Sequence, residues 1–459
     1  MKRIPSCLLL LSLAAGPLLA AAPASLQYSF GSSPRSGFQA VAPDVRYTPE
    51  RGYGFDLGSQ VTAVEQAGAG FVTGRDGRPF FFSAKLAPGA YQVTVTLGDP
   101  AAPATTTVKT ETRRLMLQAV RTEAGQAGRF TFLVHVRVPQ LPDGRVVRMK
   151  TREKAPILYV QWDDQTRVPF LELDWDEKLT FEFSDRHPAL QAIEIAPAEH
   201  PLTIYLIGDS TMTDQMMEPW AAWGQMFPRW FAPPVLIANY AECGETVLGF
   251  AEELRWPKLL SEVHPGDYIL MQFGINDQRL PLETFRKTFL QFIAEARARG
   301  AIPVLVTSQN QKRLGPDGKA VPTLRGYPDA MRAIARDQQV PLIDLNAMSL
   351  TLYTALGPVG LAKFFVDGTH QSDYGAYELA KCVVQGAVDA RLPWTKYLVP
   401  AWQPFDPAHP DAIADFQLPA DPQLDPARPG GPGAPDGRGP MAGELTRRRP
   451  AAPPAPPAP

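Results

Sequence analysis

Ile204-Tyr205-Leu206-Ile207-Gly208-Asp209-Ser210-Thr211 joins four apolar residues, rich in β-formers, to a Gly-Asp-Ser turn. The pattern predicts a buried strand whose C-terminal end presents a hydroxyl. In open α/β sheets that end is where ligands bind, so Ser210 is a candidate nucleophile. Taken alone, Gly-Asp-Ser fits a serine that merely caps a following helix equally well. Deciding between the two requires a base, an acid to orient it and an oxyanion site elsewhere in the chain.

Downstream of this stretch, short apolar runs alternate with longer amphipathic segments. Thr203 to Ile207, Val235 to Ala238, Tyr268 to Phe273, Ile302 to Val306 and Leu342 to Leu345 read as strands. Pro281 to Arg299, Asp329 to Gln338 and Tyr374 to Val388 read as helices. Strand–helix alternation implies a parallel sheet covered on both faces. The expected fold is α/β: a flavodoxin-like, three-layer α/β/α unit on a five-stranded parallel sheet, spanning residues 199–399.

Upstream, from residue 25 to 198, the pattern is β. Tyr91–Leu97, Phe132–Val138, Ile157–Val160 and Leu179–Phe183 are short runs separated by turn signals such as Pro142-Asp143-Gly144. Strands at this spacing predict an antiparallel β-sandwich. Its aromatic residues, Tyr28, Phe30, Tyr53, Phe55, Phe80, Phe81, Phe82 and Trp175, are read mainly as core. Stacking on a sugar ring is the alternative for some of them.

The two ends differ from the rest. Lys2 and Arg3, an apolar run from Leu8 to Leu19 and small residues at Ala20 to Ala24 make residues 1–24 a signal peptide. The apolar run is too short to span a bilayer, so the exported chain is expected in the periplasm or outside the cell, free of the membrane after cleavage. At the other end, 16 of the 48 prolines fall in the last 59 residues. Residues 400–459 are therefore read as a largely disordered tail, with Phe405 and Phe416 able to dock its first part. Forty-five Lys and Arg residues against 47 Asp and Glu leave a net charge of -2, so nothing points to a nucleic-acid partner. Only Cys243 and Cys382 remain after signal removal, too few for a disulfide framework or a sulfur-rich metal site. They are read as buried free thiols, and no cofactor or metal is expected.

Four stretches fall at the predicted C-terminal edge of the sheet: Gly208-Asp209-Ser210-Thr211, Asn239 to Thr246, Gly274-Ile275-Asn276-Asp277 and Asp367-Gly368-Thr369-His370. Acyl transfer by a serine needs a base, and imidazole suits that task. The base must be held in one tautomer by an acceptor. Asp367 and His370, three apart in a Gly-containing loop, can supply both. Ser210 N–H, Gly244 N–H and the Asn276 amide are the available oxyanion donors. His264 enters the third strand at the opposite edge, His135 and His187 belong to the β region, and His200 and His409 lie in linker and tail, which leaves His370 as the placed base.

These blocks, in this order, resemble the SGNH (GDSL-type) hydrolase superfamily. Within it, Asp367-Gly368-Thr369-His370 continuing into Tyr374-Gly375-Ala376, Trp220 with Trp223-Gly224-Gln225, and Gln272-Phe273-Gly274 are most similar to rhamnogalacturonan acetylesterases. Phe30-Gly31 and Gly52-Tyr53-Gly54-Phe55 resemble the galactose-binding-like sandwich that precedes some bacterial members. The resemblance implies Ser210 as nucleophile, His370 as base, Asp367 as its partner, and Ser210, Gly244 and Asn276 as the oxyanion hole. It implies an esterase that removes acetyl groups from a plant polysaccharide or oligosaccharide, with rhamnogalacturonan the expected substrate. Acetylated xylan, another glycan or a general short-chain ester are the alternatives. Two departures from the family pattern, Ile275 and Glu242-Cys243-Gly244-Glu245-Thr246, are expected to line the cleft. Lys312, Arg313 and Arg325, after the fourth strand, are either ordinary solvated charges or contacts for uronate groups.

Overall fold

The computed structural model describes residues 25–31, 35–66, 69–154, 158–161, 167–170, 173–420 and 424–426. The signal-peptide reading of residues 1–24, Ile157 and most of the proline-rich tail lie outside them.

One sheet organises the C-terminal half. Its strands run in the order Val235–Asn239, Leu202–Gly208, Tyr268–Gln272, Ile302–Val306, Leu342–Ile343, and every neighbouring pair is parallel. The chain starts at the second position, steps outward once, then crosses back and winds the other way. That reversal puts the end of Leu202–Gly208, and Ser210 beyond it, at the topological switch point. Side chains alternate across the sheet with period two. Ile204, Leu206, Leu270 and Val304 face one core with the helices Leu345–Phe364 and Asp373–Asp389. Tyr205, Ile207, Ile269, Met271 and Leu305 face the other, with Leu282–Ala298 and Tyr327–Asp337.

Most elements begin and end within two residues of the runs read from sequence. Leu345 is a correction: it opens the 20-residue helix Leu345–Phe364 instead of closing the last strand. Asp344 caps that helix through the Ala347 N–H at 3.2 Å, and Gly357 (φ 59°) with Pro358 kinks it. The sequence there is apolar on all sides, so no amphipathic period marks it.

Among the described residues the N-terminal half carries two large sheets, and a small third one pairs Leu158–Gln161 with Arg167–Phe170 and Leu424–Pro426. Phe30, Val93, Val95, Ile193 and Ile195 from one large sheet and Phe55, Phe80, Phe82, Phe181 and Phe183 from the other share a single apolar core. Among the aromatic residues considered for sugar stacking, Tyr28, Phe30, Phe55, Phe80 and Phe82 are buried in that core, and the rings pack mainly edge-on or tilted at 5.1–6.2 Å. The pairing is not wholly antiparallel, because Leu26–Phe30 runs parallel to Gln39–Val41.

Residues 401–420 pack on the α/β unit through Phe405 and Phe416, the two residues read as able to dock. Phe405 is buried, Phe416 packs on Tyr374 and Tyr377, and the Tyr374 hydroxyl donates to the Asp411 carbonyl at 2.8 Å. Lys381 pairs with Asp411 at 2.6 Å. These two aromatic residues give this stretch enough apolar surface to dock.

Candidate active site

Ser210 sits two residues beyond the strand Leu202–Gly208, and no helix starts on it: the next helical residue is Trp223. The helix-cap alternative therefore does not apply. Its main chain is fixed by Gln215, whose amide donates to the Ser210 carbonyl at 2.6 Å.

The imidazole of His370 bridges the candidate residues. Its Nε2 lies 2.9 Å from Ser210 Oγ and its Nδ1 2.8 Å from Asp367 Oδ2. Asp367 is oriented in turn by backbone N–H groups, since its Oδ1 accepts from Thr369 and His370 at 2.7 Å each. Burial opposes the Asp367 charge, but the His370 ring and these two N–H groups outweigh it and hold the carboxyl well below the usual carboxylate range. Asp367 is thus an anion at working pH and Nδ1 carries the proton, leaving Nε2 free to accept from the serine. The loop is pinned to the Ser210 side by the Ala221 N–H, which donates to the Gln371 carbonyl at 2.9 Å.

Gly244 adopts φ 74°, a conformation glycine supports without strain. The Asn276 amide donates to the Glu245 carbonyl at 2.9 Å, which ties the two proposed oxyanion elements together. The second block is tied to the first by the Glu242 N–H, which donates to the Gly208 carbonyl at 3.1 Å. Asp277 closes the loop behind Asn276: its two oxygens accept from the Val247 and Gly274 N–H groups at 2.8 Å each.

Under Ser210 runs a polar chain in which Trp223 Nε1 donates to Gln272, Gln272 to Thr211, and Thr211 to Asp209, at 2.7–2.8 Å. Trp223 and Gln272 were visible as family cues in the sequence, whereas their hydrogen bonds were not. Gly224 is required there, because a Cβ would lie 2.1 Å from the Met212 carbonyl oxygen.

The second departure needs correction. Glu242 and Glu245 do not line a cleft; both are buried and face cations from the N-terminal half. Cys243 and Cys382 are buried and not joined to each other in a disulfide, and the Cys243 thiol lies 3.8 Å from Gln215 Oε1. His264 lies beside His200, at the far end of the sheet from Ser210.

Residues 206–376 match the family described as GDSL-like Lipase/Acylhydrolase family. The rhamnogalacturonan acetylesterase RhgT of Bacillus subtilis (strain 168) is 39% identical over 220 residues, covering 43% of this chain and 95% of that protein. The probable rhamnogalacturonan acetylesterase YesY of the same organism is 31% identical over 216 residues, 43% of this chain and 97% of that one. The uncharacterized esterase YxiM, also from Bacillus subtilis, is 27% identical over 391 residues, 80% of this chain and 91% of that one. The chain belongs to the GDSL-like lipase/acylhydrolase family. It is a carboxylic ester hydrolase.

Proposed function

We propose that the chain is an exported serine acetylesterase acting on an acetylated plant polysaccharide, with rhamnogalacturonan as the substrate. The observation that carries the chemistry is the continuous relay Ser210 Oγ–His370–Asp367, with spacings of 2.9 and 2.8 Å. In the first step His370 Nε2 takes the Ser210 proton as Oγ adds to the acetyl carbonyl. Asp367 stabilises the imidazolium that results. Ser210 N–H, Gly244 N–H and the Asn276 amide stabilise the oxyanion. The imidazolium then gives its proton to the sugar oxygen as the C–O bond to it breaks, releasing the sugar hydroxyl and leaving an acetyl-serine. Water, deprotonated by the same imidazole, releases acetate.

The glycan assignment rests on the named relatives and on one feature of the surface. A pocket of about 420 Å³ beside Gly368 and Thr369 is lined by Lys312, Arg313 and Arg325, with Gln278, Gln311 and Thr323. The Gln311 amide donates to Thr369 Oγ1 at 2.9 Å, and the Lys312 N–H to the Gly368 carbonyl at 2.9 Å, so this basic wall is joined to the loop that carries Asp367 and His370. Three cations at the mouth suit a polymer bearing uronate groups. The amino-terminal sheets are read as a galactose-binding-like sandwich, and export as the work of residues 1–24.

Acetate release from acetylated rhamnogalacturonan and from acetylated xylan tests the substrate. The expected result is a higher kcat/KM on rhamnogalacturonan, which falls toward the xylan value when Lys312, Arg313 and Arg325 are all changed to Gln. Equal rates on both polymers, or a charge-removed variant that keeps the preference, would refute the uronate reading and favour a broader glycan or short-chain esterase.

A further inference from the structure

Two arms of the N-terminal half reach into the α/β unit, and they end at the candidate active site instead of on its outer surface. The first is the turn at residues 111–114. Arg113 Nη1 donates to the carbonyls of Gln215 and Trp220 at 3.2 and 2.8 Å, and Gln225 donates back to the Thr112 carbonyl at 3.2 Å. The second arm covers residues 139–154. Leu141 and Val147 are buried in the core formed by the sheet and its helices, and the Arg148 N–H donates to the Glu253 carbonyl at 2.9 Å.

The tip of the second arm meets the loop that carries Gly244. Lys150 Nζ donates to the Cys243 carbonyl at 2.5 Å and pairs with the Glu245 carboxylate. Arg152 pairs with Glu242 at 2.8 Å. Behind them Arg255 donates to Glu153 at 2.6 Å and to Glu253 at 3.0 Å. Glu242, Glu245, Arg152 and Arg255 are all buried, so water does not substitute for these partners. Lys150 thus grips the residues on either side of Gly244. The carbonyl of Glu245, one of them, also receives the Asn276 amide. One cation from the N-terminal half therefore sets both the backbone and the side-chain donor assigned to the oxyanion.

We propose that Lys150 is a positioning residue for the oxyanion site, so that the N-terminal half completes the active site. This explains why Glu242 and Glu245 flank Gly244: they are the counter-charges for Lys150 and Arg152. The inference rests on the serine-esterase reading. Oxyanion stabilisation acts on the transition state more than on bound substrate, so a misaligned donor pair lowers kcat and leaves KM little changed.

The test compares the full chain with Lys150→Met, Lys150→Arg and Ser210→Ala, each measured on p-nitrophenyl acetate, with the pair between exposed Arg129 and half-buried Glu194 broken by Arg129→Met as a control. Lys150→Met is expected to lose roughly 10–100-fold in kcat with KM within about twofold, Lys150→Arg to recover most of that loss, and Arg129→Met to match the parent. A folded Lys150→Met with the parent kcat, or a loss that appears wholly in KM, would overturn the positioning role. Should Lys150→Met fail to fold, Glu245→Gln removes the same ion pair at nearly constant volume and is judged by the same kcat criterion. If Ser210→Ala keeps the parent rate, the serine reading falls and takes this inference with it. If only Lys150→Met stays fully active, the serine reading stands and the inference alone fails.

Discussion

At Ser210 a serine was readable as a nucleophile or as a cap, and the difference lay 160 positions away in the chain. The blocks around Ser210, Asn276 and Asp367–His370 could be read from sequence because each is a short turn with its chemistry on adjacent residues. Glu242 and Glu245 were misread as cleft residues for the opposite reason. What buries them is Lys150 and Arg152, some 90 residues upstream, and no local pattern records that contact. Asp367 gives the prediction that belongs to this scale. Changing Asp367→Asn keeps the shape but puts a donor or the wrong tautomer against Nδ1, so kcat on p-nitrophenyl acetate should fall by about 10⁴ with KM nearly unchanged. A variant within tenfold of the parent kcat would show that Asp367 does not orient the base.

Elements were legible where their period was clean. The helix Leu282–Ala298 has one apolar face and was readable almost to the residue, whereas Leu345–Phe364, apolar all round and broken at Gly357-Pro358, was not. The short helical turn Asn276–Arg279 depends on Asp277, which is buried and accepts the Val247 and Gly274 N–H groups. Burial raises this carboxyl from its ordinary 3.8 to about 7, with the nearby Asp209 charge adding to the rise and the N–H groups opposing it. Between those two values the folded chain holds a proton that the unfolded chain has lost. Stability should therefore fall as pH rises from about 4 to 7, at up to about 1.4 kcal/mol per pH unit, and level off above. Urea midpoints measured across that range should show this decline in the parent and a shallower one in Asp277→Asn. Identical slopes in the two would refute the assignment.

On the scale of the whole molecule, the sequence showed a change of period near residue 198 but not that the two halves share a site. Arg114 is the central tie. It is buried and pairs with Asp174 at 2.9 Å and with Asp214 at 2.6 Å, and the second oxygen of Asp214 receives the Asn239 amide at 2.9 Å. Replacing it with Met strands two buried carboxylates, at a cost of about 3–5 kcal/mol. Guanidinium unfolding of Arg114→Met should show that loss in the α/β unit as well as in the sheets. A loss under about 1 kcal/mol would mean that Arg114 is not the central tie between the halves.

The central claim is that Ser210 attacks the ester, and Ser210→Ala tests it most directly. Measured as kcat/KM on p-nitrophenyl acetate with the full chain, the variant should retain less than about one part in 10³ of parent activity, the remainder coming from binding and the oxyanion donors. A variant that hydrolyses the ester as fast as the parent would contradict the account.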